Sequence, residues 1–493
     1  MDRHKEALTK ISRRVQWFYE RKQPFRIYHG STNSTRQPQY TRQNVIDTSP
    51  LSNTIKVDEQ TKTALVEPNV PMDRLVQETI KYGLIPPVVM EFPGITVGGG
   101  FSGTSGESSS HKYGLFNNIF NWIEIVLADG KIVIASNSEE PDLFRGSAGA
   151  FGTLGVVTLL EIQLIRSKQY VELTYYPVSS VTQAIGQIEE TTEDKDNQYV
   201  DGIMFGTDHG VIMSGRLTDL LRTDVKVQRF ARAHDPWFYL HAHRLVRKGS
   251  DPVTVAIPIV DYLFRYDRGG FWVGAYAFKY FVTPFNRITR WALDVFLHTR
   301  VMLHALHESG LAQEYIVQDM AVPYENAASF VNHIEESLGL YPLWFCPVRR
   351  DHDTAVLPIT FPTLGHSANM MLNIGIWGPG PKEPLEFVRK NRALERKALE
   401  LHGLKCLYAR AYYTEEEFWT IYDRQRYTLL REKYNASTLP TIYDKVKADP
   451  LPTKDSSMTW LFWLYNTFWG LWPLTGLWGV FRVITRSDYL FVR

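Results

Sequence analysis

Cysteine is scarce in this sequence, and neither sign of charge is in excess. Cys346 and Cys406 are the only cysteines in 493 residues. Secreted chains of this size normally contain more, so the scarcity favours a reducing, cytosol-facing location. The 54 basic and 53 acidic residues leave a formal net charge of +1. Because nucleic-acid-binding proteins need a basic field, this balance gives no support for a nucleic-acid partner.

The first residues lack the pattern of a signal peptide. Residues 1–24 instead predict a charged amphipathic helix, with Leu8, Ile11, Val15 and Phe18 on one apolar stripe.

Charge is missing altogether from residues 456–481, which contain five of the 13 tryptophans. This run is long enough to cross a bilayer. However, Gly470, Pro473 and Gly476 interrupt it, and tryptophan prefers the membrane interface to the hydrocarbon centre. We therefore expect a membrane-associating tail over 456–493, seated at the interface or re-entrant rather than spanning. The alternative is that this tail docks in a hydrophobic groove of the protein itself.

The length predicts two or three folded units. In the first third, short β-branched runs at 44–47, 54–57 and 64–67 predict strands, and 71–82 predicts a helix that Gly83 ends. Residues 122–135 predict a hairpin turning at Ala128-Asp129-Gly130. Further along, 199–205 and 211–217 predict a second hairpin.

Two glycine clusters stand out among these elements. The first lies within 93–115 and has its glycines at 98–106, after which come the hydroxyl run 108–110, His111 and Lys112. The second lies within 146–155. Glycine lets the backbone bend and lets a flat or anionic ligand lie against main-chain amides. Because both clusters are bounded by strand-like segments, we expect them to face one ligand.

Gly98, Gly100 and Gly103 match the letters of the dinucleotide fingerprint G-x-G-x-x-G. The residues that follow do not begin an apolar helical stripe, which the fingerprint requires. The sequence therefore does not predict a nicotinamide-binding Rossmann domain.

Several motifs resemble a known family. ITVGGG, GTSGESSSHKYGLF, LADG, DLFRG and FGTLGVVT occur in that order and resemble the PCMH-type FAD-binding domain of the vanillyl-alcohol-oxidase class. ESSSHKYGLF is similar to the delta-24 sterol reductase family (the Diminuto or seladin type). The similarity continues through DGIMFGTDHGVIMSG, YIVQDMAVP, YPLWFCP and LYARAYYTEEEFW to about residue 447.

The resemblance implies an α+β fold. A two-subdomain FAD-binding domain (1–170) would precede an α+β substrate or cap domain (171–455) and the hydrophobic tail (456–493). It implies noncovalent FAD, although His29 and His111 occupy positions where related folds tether flavin. No metal site is expected. The FAD-contacting residues implied are Gly103, Thr104, Ser105, Gly106, Glu107, Ser108, Ser109, Ser110, His111, Lys112, Tyr113, Gly114, Leu115, Gly152, Thr153, Leu154 and Gly155.

The implied reaction is reduction of the 24(25) double bond of a sterol or sterol-like triterpenoid, with NADPH reducing the flavin. An isolated alkene must be protonated before it takes hydride from flavin N5, so the reaction needs a dry pocket and a poised acid. Candidate acids are Asp319, Glu416 and Tyr412, with Tyr315, Glu415 and Glu417 as further candidates. The structural alternatives are that residues 415–417 form the first turn of a helix, where acids interact favourably with the helix dipole, and that Asp319 only caps a helix or forms an ion pair.

Two departures from the family pattern affect these expectations. Members from animals and plants carry an apolar anchor before the flavin domain, and here the tail is expected to take that role at the endoplasmic reticulum, with the catalytic domain facing the cytosol. The early loop at 29–34 has fewer glycines than the family's pyrophosphate turn.

Two alternative functions stay open, namely an oxidase of the same fold and a flavoprotein without catalysis. The oligomeric state also stays open.

Overall fold

A computed structural model describes residues 2–30, 40–247, 249–350, 369–448 and 472–485. The first part of the chain contains α1 (Asp2–Glu20), β1 (Arg26–Tyr28), β2 (Val45–Asp47), β3 (Thr54–Asp58), β4 (Thr63–Val66), α2 (Met72–Thr79), β5 (Leu84–Ile85), α3 (Val97–Gly103), α4 (Ser110–Tyr113), β6 (Phe120–Leu127), β7 (Ile132–Ser136), α5 (Pro141–Ser147), β8 (Gly155–Gln163) and β9 (Ile165–Arg166). Within the described residues, β3-β4-β8-β6-β7 form a five-stranded sheet, called here the small sheet.

The second part begins with β10 (Tyr170–Val178), α6 (Val181–Glu193), β11 (Tyr199–Met204), β12 (Gly210–Thr218), β13 (Lys226–Val227), α7 (Phe238–Val246), β14 (Val253–Pro258), α8 (Ile259–Leu263), α9 (Val273–Tyr280), α10 (Arg287–Ala292) and α11 (Thr299–Ser309). It continues with β15 (Tyr315–Pro323), α12 (Tyr324–Leu338), β16 (Leu343–Arg349), β17 (Met370–Pro379), α13 (Pro384–Glu400), β18 (Leu404–Lys405), α14 (Glu415–Ile421), α15 (Arg424–Lys433), α16 (Ile442–Val446) and α17 (Leu474–Thr485).

The strands of this second part form one sheet, the large sheet, in the order β13-β14-β10-β12-β11-β16-β17-β15-β18 for the residues described. Its outer face packs on α6, α12 and α13 through residues such as Ile188, Phe330 and Leu394. Its opposite face contributes Tyr175, Trp344 and Trp377 to a core shared with the small sheet. The site therefore forms where the inner face of the large sheet meets the glycine-rich segments.

The segment 423–447 returns to the first part of the chain. The Tyr427 hydroxyl donates to Thr153 Oγ1 at 2.9 Å, and Lys445 Nζ donates to the Phe151 carbonyl at 2.8 Å. Asn435 Nδ2 donates to Asp129 Oδ2 at 3.0 Å. These contacts lie within the range predicted as a cap domain, 171–455, so the end of that range packs against the flavin-domain segments. The division into domains itself stays a prediction.

Most sequence-predicted elements form. The apolar stripe of α1 is buried as expected, Gly83 ends the helical turn after α2 with φ +65°, and both predicted hairpins pair in register. The first glycine cluster was expected to bend the backbone, but Gly98, Gly100 and Gly103 lie in the helix α3. The Thr96 side chain caps this helix by accepting from the Gly99 amide at 3.2 Å.

Of the predicted tail, residues 456–471 lie outside the described residues. Residues 472–485 include α17, which packs against α11, and Arg482 Nε donates to Glu308 Oε2 at 3.1 Å. None of the helices formed by the described residues is both long and apolar enough to cross a membrane.

His4 on α1 predicts a pH-dependent part of the stability. Hydrogen bonds to Glu124 and then Glu67 raise the pKa of His4 from 6.5 to about 9. The ion pairs therefore contribute fully below pH 6.5 and are lost as the pH rises through about 9. We expect a difference in the free energy of unfolding between wild type and His4→Gln of at most about 3 kcal/mol near neutrality, shrinking above pH 9. Urea unfolding across this pH range measures it. A difference that grows with pH would contradict the assignment, and His209→Gln, at a half-exposed position, is the control.

Candidate active site

A cavity of about 1300 Å³ lies between the glycine-rich segments and the large sheet. Small-molecule sites are usually about 300–1,000 Å³, so this cavity has room for a large cofactor and for a second ligand. Both predicted glycine segments contribute to its wall, through Gly103, Thr104, Ser105, Gly106, Leu115, Gly152, Leu154 and Gly155. The prediction that the two clusters converge on one space is confirmed.

Close packing explains why glycines occupy α3. A Cβ added at Gly98 would lie 2.6 Å from Pro68 Cβ, and one added at Gly100 would lie 2.5 Å from Met90 Cε. At Gly103 the nearest atom is Ser105 Oγ at 3.9 Å. The first two glycines therefore let α3 approach its neighbours, whereas Gly103 presents bare backbone to the cavity.

The second glycine segment is held in a bent conformation. Phe151 has φ +51° and Gly152 has φ +71°, and a Cβ at Gly155 would lie 2.5 Å from the Val126 carbonyl oxygen. Thr153 is fully buried and does not line the cavity, because its side chain turns toward the Tyr427 hydroxyl. Its side chain anchors residues 423–447, and its contact with FAD stays a prediction.

The motif ESSSHKYG does not line the cavity. The predicted contacts Glu107, Ser108, Ser109, Ser110, His111, Lys112, Tyr113 and Gly114 lie instead in α4 and the turn before it, against the large sheet. The Val200 amide donates to the Ser108 carbonyl at 2.7 Å, Lys112 Nζ donates to the Lys195 carbonyl at 2.7 Å, and Gln198 Nε2 donates to the Tyr113 hydroxyl at 2.7 Å. This motif joins the two parts of the chain.

His111 belongs to that joint and is not placed to tether a ligand in the cavity. Its Nδ1 lies 3.0 Å from the Ser108 carbonyl and its Nε2 lies 3.4 Å from the Asn197 carbonyl. Burial lowers the pKa of His111 to about 4, so the imidazole is neutral at physiological pH.

One end of the cavity is basic. Arg26, His29, Lys445 and Lys447 line it beside Gly152, together with Asp444, which pairs with Lys447 at 3.1 Å. Burial, and then the nearby Lys445, lower the pKa of His29 to about 4. His29 Nδ1 and Ser147 Oγ are buried and have no hydrogen-bond partner among the described residues. Cationic side chains, glycine backbone and polar atoms that lack protein partners fit a ligand with a diphosphate group.

Asp319 lies on β15 in the wall of the cavity. Its pairing partner on β17 is Gly375, so Asn373 and Trp377, two positions to either side, reach its carboxyl group. Asn373 Nδ2 donates to Oδ1 at 2.8 Å and Trp377 Nε1 donates to Oδ2 at 3.1 Å. The Tyr408 hydroxyl also donates to Oδ2. Burial nevertheless outweighs these donors and raises the pKa of Asp319 to about 6.

The structure separates the other candidate acids from the cavity. Glu416 is exposed in the first turn of α14, which begins with a capping box between Thr414 and Glu417. Tyr412 does not line the cavity; it packs against the outer core of the large sheet. Tyr315 does line the cavity, and burial raises its pKa to about 12. Of the candidate acids Asp319, Glu416 and Tyr412, only Asp319 lines the cavity.

Glu91 is a cavity residue that the sequence analysis missed. It is buried, its Oε1 has no hydrogen-bond partner among the described residues, and burial and then Glu107 raise its pKa well above the usual range. Its signal in the sequence is that Glu91 and Glu107 are the only charged residues in the run 82–110. Nearby, Arg265 Nη2 donates to Asp201 Oδ2 at 2.9 Å.

The far end of the cavity is apolar. The aromatic rings of Phe271, Trp344 and Trp377 form one wall, with Phe271 and Trp377 centroids 4.4 Å apart. Beyond them the lining passes to α9, α11 and α17. Among the described residues no cluster of His, Cys, Asp and Glu has the geometry to hold a metal ion. The cavity therefore combines a basic end, a buried acid and an apolar end.

Comparison with known proteins agrees with this geometry. Residues 6–136 match the family model of an FAD binding domain. The chain is 31% identical over 408 residues to the Delta(24)-sterol reductase of Macaca fascicularis, covering 80% of this chain and 76% of that relative. The chain belongs to the delta(24)-sterol reductase family. It is accordingly an FAD-dependent oxidoreductase with a PCMH-type, mixed α and β flavin domain, as the resemblance implied.

Other relatives give the same assignment. The Delta(24)-sterol reductase of Homo sapiens is also 31% identical over 408 residues, covering 80% of this chain and 76% of the relative. That of Pisum sativum is 29% identical over 441 residues, covering 82% of this chain and 76% of the relative.

Gly103 offers a direct test of the flavin site. Gly103→Val should fold normally, because an added Cβ meets no protein atom closer than 3.9 Å, yet its methyl groups would project into the cavity. We expect the flavin-to-protein absorbance ratio of the purified variant to fall by about tenfold or more, as for a ligand that meets a steric clash. Gly186→Val on α6, where a Cβ also meets nothing within 4 Å, should keep its flavin. Full flavin retention in Gly103→Val would place the cofactor elsewhere.

Proposed function

We propose that this chain reduces the delta-24 double bond of a sterol or sterol-like triterpenoid, with NADPH as the source of reducing equivalents. The observation that carries the proposal is Asp319, a buried carboxyl group in a cavity that is basic at one end and apolar at the other. A diphosphate-containing cofactor suits the basic end, and a rigid hydrocarbon suits the apolar end.

The chain's own residues supply the proton and the environment. FAD, when bound and reduced, supplies the hydride. Burial raises the pKa of Asp319 to about 6, so a fraction of the enzyme near neutral pH carries a proton on this carboxyl group. Asp319 donates this proton to the less substituted alkene carbon. Asn373, Trp377 and Tyr408 then stabilise the carboxylate that remains, since each already donates to one of its oxygens.

The aromatic wall has two roles in this proposal. Phe271, Trp344 and Trp377 exclude water from the reacting carbons, and their faces stabilise the tertiary cation that protonation creates on the substrate. The Trp272 indole N–H donates to the Trp377 carbonyl at 3.0 Å, which holds this wall in position. Reduction of an alkene without a neighbouring carbonyl requires both effects.

We further propose that the protein works at a membrane of the endoplasmic reticulum with its cavity on the cytosolic side. The apolar substrate class supports this location. So does the scarcity of cysteine, since Cys346 and Cys406 are both free thiols.

Replacing Asp319 tests the acid. Asp319→Asn preserves the size of the side chain and removes the proton, so we expect kcat for a Δ24 sterol to fall by about 10²–10⁴-fold while flavin is retained. In the wild type, kcat should fall as the pH rises through about 6, because only protonated Asp319 is an acid. Glu416→Gln is the matched comparison: a loss there, with Asp319→Asn active, would move the acid to α14.

An oxidase of the same fold is the second candidate. Part of the chain is 29% identical over 147 residues to cytokinin dehydrogenase 9 of Oryza sativa, covering 29% of this chain. Anaerobic reduction by NADPH followed by exposure to oxygen distinguishes the two. Slow reoxidation by oxygen together with turnover of a Δ24 sterol supports the reductase. Fast reoxidation without sterol turnover supports the oxidase.

A further inference from the structure

The apolar end of the cavity opens at a surface that carries large exposed apolar side chains. These belong to the segment 282–295 and to α17 with the residue before it. They are Val282, Phe285, Ile288, Trp291, Leu293, Val295, Trp472, Leu477, Trp478, Phe481 and Ile484. Ile288 is 74% exposed, Val282 is 73% exposed and Ile484 is 68% exposed. A group of this size exceeds the scattered apolar residues found on most soluble surfaces. We call it the apolar rim.

Three rim residues also line the cavity, namely Leu293, Trp472 and Leu477. They are therefore in contact with solvent on one side and with the ligand space on the other. The cavity wall next to them comes from the same elements, through Phe281, Leu306 and Val480. The rim thus surrounds an opening of the cavity.

Close contacts hold the second half of the rim, residues 472–485, against α9 and α11. A Cβ at Gly476 would lie 2.4 Å from Tyr280 Cε1, and one at Gly479 would lie 2.7 Å from the Ala305 carbonyl oxygen. The Trp472 indole N–H donates to the Tyr280 carbonyl, and Arg482 pairs with Glu308 at 3.1 Å. The second half of the rim, 472–485, is therefore seated on α9 and α11.

The charges next to the rim are mostly positive. Lys279 and Arg287 are exposed, and the Arg290 guanidinium lies 4.9 Å from the ring centroid of Phe285. The acid within 282–295, Asp294, is already bonded to Arg268, whose Nε lies 2.8 Å from its Oδ1. Apolar side chains bordered by cations match the interface of a bilayer that contains anionic lipids.

We propose that the apolar rim docks on an anionic lipid bilayer, and that the substrate enters the cavity from the lipid through the opening between Leu293 and Leu477. Only the second part of this inference, entry of the substrate from the lipid, rests on the proposed sterol substrate. A sterol is too apolar to be supplied through water, and a cavity mouth pressed onto the bilayer lets it move from lipid to enzyme without crossing an aqueous layer.

A fluorophore at the rim tests docking without any reference to turnover. An environment-sensitive dye on Ile288→Cys should shift to shorter wavelength when vesicles of phosphatidylcholine and phosphatidylserine are added, and less with phosphatidylcholine alone. The same dye on Leu220→Cys, a position 82% exposed on another part of the chain, should not shift. Wild type serves as the labelling blank, since Cys346 is buried and Cys406 is partly buried.

Three outcomes would overturn docking. They are no shift at residue 288, an equal shift at residue 220, or a dye at 288 that is already blue-shifted before vesicles are added. The last would mean that the chain itself, or a second copy of it, covers the rim. Sedimentation at several protein concentrations distinguishes a rim covered by the same chain from a rim covered by a second copy.

Substrate entry has a separate test. For Ile288→Glu/Trp291→Glu, the rate with vesicle-embedded Δ24 sterol, divided by the rate with cyclodextrin-delivered sterol, should fall by about tenfold, because two anchoring side chains are lost. Leu220→Glu/Leu385→Glu, at exposed positions outside the rim, should leave this ratio unchanged. An unchanged ratio in the rim variant would contradict entry from lipid. If the wild type reduces no Δ24 sterol in either form, the proposed function fails, while the fluorescence result still decides docking.

Discussion

The cavity depends on a short helix that fixes the separation of two sheets. Through α4 and the turn before it, the backbone of the flavin-domain segments bonds to the large sheet at Ser108, while Lys112 accepts from Arg349 Nη1 at 2.7 Å through its carbonyl. The first bond joins two main chains and the second joins a side chain to a main chain, so a shift of one sheet against the other would break both. The space between Gly103 and Asp319 therefore has a defined width, which positional catalysis requires.

Buried carboxyl groups at this joint follow from the same packing. Glu107 accepts from the Ser109 amide at 2.8 Å and from the Ser108 hydroxyl at 2.8 Å, and Asp201 is paired with Arg265. Glu91 Oε1 has no such partner within the described residues, and burial followed by Glu107 raises the pKa of Glu91 well above its usual range. Burial thus shifts both cavity acids, Glu91 and Asp319, toward the neutral form near the apolar end, where an ionised group would repel a hydrocarbon ligand and attract water.

Local sequence patterns were sufficient for elements whose stability is local. The stripe of α1 and the turn at Asp129-Gly130 depend on spacing and turn chemistry, and both form as predicted. The helix α3 was missed because glycine is a poor helix former. Its glycines are required by contacts with Pro68 and Met90, which are distant in sequence and which no local pattern contains.

The site was only partly predictable for a related reason. Asp319 reaches the cavity because β15 pairs with β17 in the register that places it opposite Gly375, and register depends on the whole sheet. Glu416 and Tyr412 lie in another of the family motifs, LYARAYYTEEEFW, and this motif does not place them on the cavity face of the sheet. The motif ESSSHKYG carries part of the resemblance to the family, and its residues lie at the joint between the two parts of the chain, a position that a sequence motif alone does not reveal.

The basic end and the apolar end of the cavity impose different demands on ligand exchange. At the basic end, Arg26 and Lys445 can hold a charged cofactor for many turnovers, because its release into water would separate these ion pairs. At the apolar end, a sterol gains little free energy on moving from lipid to cavity, since both surroundings are apolar. Affinity there must come from shape and ring contacts with Phe271 and Trp377. Weak net binding of this kind allows a product that differs from the substrate by two hydrogens to leave by the route through which the substrate entered.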